Sequence, residues 1–432
     1  MAPHLVRTAA LPSELWVHVF GYLSTTDKCN IRSCCRYFKA IVDHWSLWKG
    51  HTVVVRKHCA YTGNFWKILC RRKIKSVVLR RASLKEWKQL AISVPWLTTI
   101  KVEHCNDVKC FEILKQFHNL KRLSISGFRQ GLTDTIGSLQ QVTNFSVCET
   151  QLVPRTEIIN AVSKLSHLTS LFYHEGNHPI PRQTFHIMLK SLPHLKYLSL
   201  KMGTHTGSLP DDYFNISKTI NGPQEGQQVG QAGLTRLELL DYMDPTLSEE
   251  ALKFLPSLQC LSVDYRDRDV QPTKCHLKTW LKGLPQLAVF NIANGHPISS
   301  YADSIPANVT SLTLRHVTME RKDLATVGKQ IPGLLHLHYD PRSRNGSSIG
   351  EISRHFPQLR TLRIRHYNVP EREFSSLQHL KCLDRLEILD ACVPTAHLME
   401  LTNKLQVLTR YRTQIVHSQN PREPTACYCT HC

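Results

Sequence analysis

The sequence lacks the features that would place the chain in several large functional classes. It contains no run of about eighteen apolar residues, the length that crosses a bilayer, and its first residues do not resemble a secretory signal. It also lacks G-x-S-x-G, H-E-x-x-H and Walker-type motifs, and no paired carboxylates recur at a recognisable spacing. We therefore expect a soluble protein, cytoplasmic or nuclear, that contacts no membrane, catalyses no reaction itself and needs no cofactor.

Acidic residues are scarce. The chain has 54 Lys and Arg but only 34 Asp and Glu, which gives a formal net charge of +20. Such an excess favours acidic protein segments, phosphorylated groups or nucleic acid as partners. The imbalance is strongest in residues 51–90, where Glu86 is the one acid. Because apolar residues such as Trp66 and Leu69 recur there, we interpret residues 51–73 as a basic connector with a solvated face and do not expect nucleic acid as the partner.

No cysteine or histidine cluster has the spacing of a metal site. The fifteen cysteines are odd in number and scattered, which is typical of reduced thiols rather than of a disulfide framework. The last six residues, from Cys427 to Cys432, include His431 but lack C-x2-C pairs, and the potential ligands lie too close together. We expect no metal, and we expect residues 417–432 to be a disordered tail.

From residue 74 onward the chain repeats the unit L-x-x-L-x-L, with Ile, Val, Phe or Tyr as substitutes. The steps between copies are 22–29 residues, except for one step of 39. This spacing is typical of leucine-rich repeats. The copies begin at Ile74, Leu97, Leu120, Val142, Leu168, Leu195, Leu234, Leu258, Leu287, Val309, Leu334, Leu359 and Leu383, with a degenerate copy at Leu405.

The repeats predict an α/β solenoid over residues 74–416, with about 13–14 repeats. Each repeat should supply one short parallel strand and return through a helix, so that the helices form the convex side. The step of 39 marks an insertion. Residues 203–233 contain six glycines and two prolines, and we expect them to form a flexible loop.

Two amphipathic helical segments precede the repeats. Leu11-Pro12 opens the first, because proline suits the first turn of a helix. Leu11, Leu15, Val19 and Leu23 then recur every four residues and form one apolar stripe. A second segment follows a break at residues 24–27 and runs through Cys34-Cys35-Arg36-Tyr37-Phe38 to Leu47-Trp48. About forty residues cannot bury this much apolar surface by themselves, so the stripe packs either on the repeats or on a partner.

These helical segments resemble an F-box over residues 9–50, and the order of an F-box followed by leucine-rich repeats resembles the F-box/leucine-rich-repeat family. The resemblance implies the substrate-recognition subunit of an SCF-type E3 ubiquitin ligase. Such a subunit docks on Skp1, and through Skp1 on Cul1 and the RING subunit. The residues that match F-box positions expected to meet Skp1 are Leu11, Pro12, Leu15, Val19, Phe20, Leu23 and Ile31.

In each predicted strand, the residues between the buried leucines should point to the concave face. This face is expected to bind an acidic or phosphorylated protein substrate, because arginine suits carboxylate and phosphate. The candidate substrate-binding residues are Arg80, Lys101, Arg122, Tyr197, Lys201, Arg236, Arg315, Arg363 and Arg365. The same pattern also places Glu103, Glu238, Asp264, Asp340, Glu387, Phe172, His174, His336 and His338 on this face.

Two alternatives remain open at this point. The face could carry only solubilising charges, with the true contact elsewhere. The whole chain could also be a non-degradative basic scaffold, or a nucleic-acid-associated protein, that carries an F-box-like cap. The stripe on the first helix separates the readings, since a stripe packed on the first repeat cannot recruit a ligase.

Overall fold

A computed structural model describes residues 11–57, 59, 61–105, 107–127, 133–148, 154–203, 207–216, 233–266, 275–342, 349–365, 371–389 and 396–418. The chain divides into two compact units. Unit 1 comprises Met1–Phe145 and Thr150–Ala161, and unit 2 comprises Ser146–Glu149 and Val162–Cys432.

Unit 1 begins with three helices: α1 (Ser13–Gly21), α2 (Thr25–Cys34) and α3 (Arg36–Val42). Pro12 precedes α1, as its fixed φ favours. The Ser24 side chain caps α2 by accepting a hydrogen bond from the backbone amide of Asp27 at 3.1 Å. The extended backbone of Cys35 (φ −156°) separates α2 from α3. A 3₁₀ helix, Trp45–Trp48, then ends this segment, so the two helical patterns of the sequence become a small helical cluster.

The rest of unit 1 alternates strands with helices. Its strands pair in parallel in chain order, and the registers match equivalent repeat positions, as in Val77 with Ile100 and Ile100 with Leu123. The elements are β1 (Thr52–Arg56), α4 (Gly63–Arg71), β2 (Ser76–Arg80), α5 (Leu84–Ser93), β3 (Thr99–Glu103), α6 (Val108–Glu112), β4 (Arg122–Ser126) and α7 (Thr133–Ser138). Two further elements contain residues of both units, β5 (Asn144–Cys148) and α8 (Arg155–Ser163).

Unit 2 continues the same alternation, again with parallel strands paired in chain order. Its strands are β6 (Ser170–His174), β7 (Tyr197–Lys201), β8 (Arg236–Tyr242), β9 (Cys260–Tyr265), β10 (Val289–Ala293), β11 (Ser311–Thr318), β12 (His336–Arg342), β13 (Thr361–Arg365), β14 (Arg385–Leu389) and β15 (Gln414–Ser418). Its α-helices are α9 (Arg182–Ser191), α10 (His276–Lys282), α11 (Arg321–Gln330), α12 (Ile349–His355), α13 (Glu371–Ser375) and α14 (Ala396–Leu408), and shorter 3₁₀ turns replace some of them.

The repeat leucines form the core of each unit. In β4, Leu123 is 2% exposed and Ile125 is fully buried, while Arg122, the first residue of the strand, is exposed. The leading leucine of the copy, Leu120, is also fully buried just before the strand. The predicted fold is therefore confirmed: an N-terminal helical region is followed by strand-and-helix repeats of the leucine-rich type. Among the described residues, no helix combines the length and the apolar character that would let it cross a membrane.

The array starts earlier than the sequence predicts. Residues 52–56, predicted as part of a basic connector over 51–73, form β1, and this strand pairs with β2 in register. Val55 is fully buried, and Trp66 and Leu69 of α4 are buried as well. The prediction is wrong because residues 52–55 have no leading leucine before them. Without that leucine, and among many basic residues, the strand does not match the repeat pattern.

Part of the predicted flexible insertion is packed. Tyr213 is fully buried and its ring stacks on Phe185 of α9 at a centroid distance of 4.4 Å. The Tyr213 hydroxyl donates to the Ile180 carbonyl at 2.9 Å. Residues 207–216 therefore belong to the folded unit, because two adjacent aromatic side chains supply enough apolar surface to attach them. Residues 204–206 and 217–232 lie outside the described residues.

The end of the array also differs from the prediction. Leu405, taken as the start of a degenerate copy, lies inside α14, and the last strand is β15. His417 and Ser418, expected in a disordered tail, belong to this strand, whose Ile415 pairs with Leu386. The remaining tail residues, 419–432, lie outside the described residues.

Candidate protein-docking surfaces

The apolar stripe of α1 faces solvent. Leu11 is 42% exposed, Leu15 49% and Val19 44%. The Pro12 carbonyl accepts hydrogen bonds from the amides of Leu15 and Trp16 at 3.1 and 3.3 Å, which fixes the first turn. Leu15 and Val19 are four residues apart and lie above one another on α1, and Leu11 precedes the helix by two residues at the same spacing. An apolar surface made of several side chains, unlike a single exposed residue, is a candidate contact site.

Two tyrosines extend this exposed surface. Tyr37 is 48% exposed, and its hydroxyl donates to the Leu11 carbonyl at 3.4 Å. Tyr22 is 80% exposed, and its hydroxyl lies 3.2 Å from His18 Nε2. Tyrosine is common at protein interfaces because an apolar ring ends in a polar group. Sequence reasoning did not select these two residues, since it followed the aliphatic period alone.

The other predicted contact residues divide between surface and interior. Pro12 is exposed, whereas Leu23 and Ile31 are half-buried. Phe20 is only 2% exposed. Its ring lies 5.4 Å from that of Phe38, so it belongs to the aromatic centre of the helical cluster. The prediction that Phe20 meets a partner is therefore corrected: this ring holds α1 in place and presents no surface.

A buried carboxylate attaches the helical cluster to the first repeat. The side chain of Asp43 is 1% exposed, and its Oδ1 lies 2.9 Å from Arg32 Nε and 2.8 Å from Arg72 Nη2. Arg71 pairs with Oδ2 of the same carboxylate. Arg32 comes from α2, whereas Arg71 and Arg72 lie at the end of α4. The hydrogen bonds of Asp43 therefore join the helical cluster to the first repeat, and none of them uses a residue of the stripe.

These hydrogen bonds control the charge of Asp43. Burial acts to raise the pKa of the carboxyl, but the hydrogen bonds from Arg32 and Arg72 and their positive charges outweigh it. The pKa of Asp43 is therefore lowered below its usual value. A carboxylate that stays ionised in the interior needs several donors, and the arginines supply them.

Trp48 completes this attachment. The Arg72 guanidinium lies over the Trp48 ring, 3.6 Å from the centroid. The indole Nε1–H donates to the Val42 carbonyl at 2.6 Å, and Leu47 beside it is 5% exposed. The helical cluster thus packs on the first repeat through α3 and the 3₁₀ helix, while the α1 stripe remains exposed.

On the strand face of unit 1, the predicted basic residues are largely paired. Glu103 Oε2 lies 2.5 Å from Arg80 Nε, and Glu103 Oε1 lies 2.9 Å from Lys101 Nζ. Burial acts to raise the pKa of Glu103, but these two partners lower it on balance. Arg122 on β4 is exposed, and no ion pair of its side chain is found among the described residues.

In unit 2, Tyr197 and Arg236 form one cluster. The Arg236 guanidinium lies 4.4 Å from the centroid of the Tyr197 ring, and the Tyr197 hydroxyl donates to Glu238 Oε2 at 2.9 Å. Burial, with the charge of Glu238, raises the pKa of Tyr197, so its hydroxyl stays protonated. Lys201, at the end of β7, is half-buried.

The last three predicted residues lie on β11 and β13, the two strands that flank β12. Arg315 Nη2 lies 3.6 Å from Asp264 Oδ2, Arg363 Nε lies 3.3 Å from Glu387 Oε2, and Arg365 Nε lies 3.1 Å from Asp340 Oδ2. In each pair the arginine and the carboxylate come from different repeats, so the pair forms only when the strands align. The expected positive excess of this face is therefore partly neutralised inside the protein.

One polar network has the residue types of a hydrolase but not the proton arrangement. The Ser199 hydroxyl lies 2.6 Å from Glu238 Oε2 and 2.8 Å from His174 Nε2. The Ser199 hydroxyl donates to the Glu238 carboxylate oxygen, so it can only accept from His174. A nucleophilic serine needs the reverse, with its proton given to the histidine. Within the described ranges, no group of three or more His, Cys, Asp or Glu side chains is placed to hold a metal ion.

Comparisons with known proteins agree with the N-terminal assignment. Residues 8–53 match the F-box-like family model. A search of curated proteins finds no match. Among solved structures, a chain of the Rad7–Elc1 complex from yeast is similar with a TM-score of 0.48 and 17% identity, covering 83% of this chain and 88% of that one. An internalin from Listeria monocytogenes is similar with a TM-score of 0.37 and 13% identity, covering 71% and 83%.

The family match and the described geometry concern the same residues. The matched segment contains the exposed stripe, the aromatic centre and Asp43. Within each unit the strands after it are parallel and pair in chain order, and helices or 3₁₀ turns lie between most of them. The chain therefore consists of an F-box-like region followed by a fold of leucine-rich-repeat type.

Proposed function

We propose that this chain is the substrate-recognition subunit of an SCF-type ubiquitin ligase, acting in the cytoplasm, the nucleus or both. In this role α1 docks on Skp1, which connects the chain to Cul1 and the RING subunit. The strand face of the repeats binds the protein that is to be ubiquitinated. The chain then acts by proximity: it holds the substrate near a ubiquitin-charged enzyme and supplies no catalytic residue.

One observation carries this proposal. The stripe of Leu11, Leu15 and Val19 is exposed although the cluster behind it is well packed. A cap that served only to cover the repeats would turn its apolar stripe inward. Here the cluster uses Trp48 and Asp43 to contact the repeat, so the stripe is available to a partner.

The test is co-purification of the full chain with Skp1 and Cul1. Leu15→Asp and Val19→Asp place a charge on the exposed stripe, and each should reduce capture at least about tenfold, since burial of an unpaired charge at an interface costs several kcal/mol. Ile92→Asp is the matched control, because Ile92 is also apolar and is 76% exposed on α5 of the same unit. Capture that is equal in all variants, or absent in the unaltered chain, would contradict the proposal.

A basic scaffold that binds nucleic acid is the second candidate. The exposed lysines of unit 1 favour it, since the basic excess concentrates there; they include Lys57, Lys67, Lys73, Lys75, Lys85, Lys88, Lys109 and Lys121. Salt-dependent binding to RNA or DNA would support this candidate. The Leu15→Asp variant separates the two functions, because it removes capture of Skp1 but leaves these lysines in place.

A further inference from the structure

Among the residues that the structure describes, a buried histidine in unit 2 has no hydrogen-bond partner for its ring nitrogens. His338 is 3% exposed. Neither Nδ1 nor Nε2 has a hydrogen-bond partner among the described residues. Most buried polar groups are satisfied, and a buried donor or acceptor without a partner costs about 1–3 kcal/mol. Such a ring points to a group that the repeats themselves do not provide.

The strands around His338 supply positive charge. His338 lies on the strand face of β12, opposite Thr313 of β11 and Arg363 of β13 in the parallel register. Arg315 and Arg365 lie one step further along the neighbouring strands. Adjacent strands are separated by about 4.8 Å, so all three guanidinium groups can reach the space in front of the ring.

The same charges act on the imidazole. Burial and the charges of Arg363, Arg315, Arg365 and His316 lower the pKa of His338 to about 3. The ring is therefore neutral at physiological pH and has one N–H to donate. The acids of the neighbourhood, Asp264, Asp340 and Glu387, do not reverse this effect. The potential at the ring is positive, which disfavours a metal cation and favours an anion.

Each of these arginines has a carboxylate nearby, and a guanidinium can contact more than one acceptor at the same time. Tight charge-assisted bonds between a cationic N–H and a carboxylate are about 2.7–2.9 Å long. The Arg363–Glu387 and Arg315–Asp264 pairs are longer, at 3.3 and 3.6 Å, whereas Arg365 Nε donates a hydrogen bond to Asp340 Oδ2 at 3.1 Å. Burial raises the pKa of Asp264 in spite of Arg315, which indicates a weak pair. Each guanidinium has five N–H donors and can contact a second acceptor.

We propose that His338, Arg315, Arg363 and Arg365 form a binding site for a tetrahedral oxyanion, namely a phosphate group. The neutral imidazole donates one hydrogen bond, and the guanidinium groups supply charge and further donors. Because the ring is almost covered, only a small oxygen-rich group can reach it between the arginine side chains. On the proposed function, this phosphate is carried by a side chain of the bound protein substrate; binding of free phosphate does not depend on that function.

The first experiment measures binding of inorganic phosphate to the full chain by isothermal titration calorimetry at constant ionic strength. One saturable site is expected. Arg363→Gln and His338→Phe should each weaken binding about tenfold or more, which corresponds to loss of one hydrogen bond to a charged group. Arg122→Gln is the matched control, because Arg122 is a strand-face arginine of unit 1 outside this cluster.

His338→Phe also tests whether the ring is only structural. Phenylalanine keeps the packing and removes the nitrogens without partners, so the thermal midpoint should stay equal or rise while phosphate binding is lost. Phosphate binding that survives His338→Phe, or that falls equally in Arg122→Gln, would overturn the site. So would the absence of a saturable signal with the unaltered chain, in which case the ring holds an ordered water only.

A second titration identifies the source of the phosphate. Displacement of inorganic phosphate by O-phosphoserine, but not by serine, supports a phosphorylated side chain as the ligand. Binding of inorganic phosphate without binding of O-phosphoserine would overturn that part of the proposal. Loss of Skp1 capture would contradict the adaptor function alone, since neither titration uses the F-box-like region.

Discussion

The α1 stripe and the strand face of unit 2 are both expected to bind proteins, yet they meet solvent in opposite ways. The stripe leaves three aliphatic side chains uncovered. The strand face instead pairs most of its charges with carboxylates from neighbouring repeats, as in Arg365 with Asp340. The stripe can therefore gain free energy from simple burial, whereas a ligand of the strand face must compete with existing ion pairs.

Exposure and charge carry different information in a repeat protein. Several exposed apolar side chains grouped on one part of the surface, unlike a single one such as Ile92, indicate a partner. A charged side chain on a repeated strand lies close to the strands of the adjacent repeats, so it can pair with an opposite charge within the same chain. For this reason His338, which is buried and neutral, marks the strand face better than the arginines that surround it.

The largest expected effect contrasts two residues of α1. Phe20→Ala removes a buried ring and should lower the free energy of unfolding by about 3–5 kcal/mol. Leu15→Ala should change it by less than about 0.5 kcal/mol, because Leu15 is 49% exposed. Urea unfolding followed by tryptophan fluorescence measures both, since Trp16 and Trp48 lie in the same cluster. Equal effects of the two substitutions would show that the stripe is covered in solution.

The second prediction concerns Asp43, which attaches the helical cluster to the first repeat. Asp43→Asn leaves three arginines facing a neutral group and should cost about 3 kcal/mol, close to the cost of breaking a buried ion pair. Asp303→Asn is the control: Asp303 is 59% exposed and lies 3.2 Å from Lys278 Nζ, so its loss should cost less than about 1 kcal/mol. The same unfolding assay applies. A small effect of Asp43→Asn would mean that packing of Trp48 suffices for the attachment.

A pH dependence follows from the same carboxylate. The pKa of Asp43 is lowered in the folded state, so its contribution is fully present above the unfolded pKa of about 4. The contribution is lost as pH falls from there through the folded pKa. Unfolding measured from pH 7 down to pH 3 should therefore show a smaller loss of stability for Asp43→Asn than for the unaltered chain. Parallel curves for the two proteins would contradict this assignment.

The smallest effect is expected on the strand face of unit 1. Arg80→Gln removes one partner of Glu103 but leaves Lys101 at 2.9 Å. Because the Arg80 side chain is 42% exposed, the free energy of unfolding should fall by less than about 1 kcal/mol and depend on salt. Lys101→Gln should cost more, since that side chain is only 12% exposed. A larger loss of stability for Arg80→Gln than for Lys101→Gln would indicate that Arg80 is the main partner of Glu103.

The repeat core could be predicted from the sequence because it depends on spacing alone. Leu123 and Ile125 are buried for the same reason as their counterparts in every clean copy. The same reasoning missed β1, whose valines replace the leucines, and it missed the packing of Tyr213 in the insertion. It identified the α1 stripe, but it could not separate Phe20 from Val19, since the two are adjacent and differ only in the side they face.

The ion pairs of the strand face could not be predicted from the sequence. Arg363 and Glu387 are 24 positions apart, and they meet only because β13 and β14 align in one register. The partnerless nitrogens of His338 were equally hidden, because the sequence shows a histidine in a strand but not what surrounds its ring. The net charge of the strand face is therefore known only once the strands are aligned and the ion pairs between them are identified.

The Asp43 network has a genetic consequence. Substitution of Arg72, which pairs with this carboxylate and covers Trp48, would loosen the whole helical cluster although no part of Arg72 lies on the stripe. Alleles at Arg32 or Arg72 should therefore produce the phenotype of a stripe mutant. A screen for loss of docking would recover changes at Arg32 and Arg72 together with changes at the exposed stripe residues, and the two groups would differ in abundance: only the former would lower the amount of folded protein.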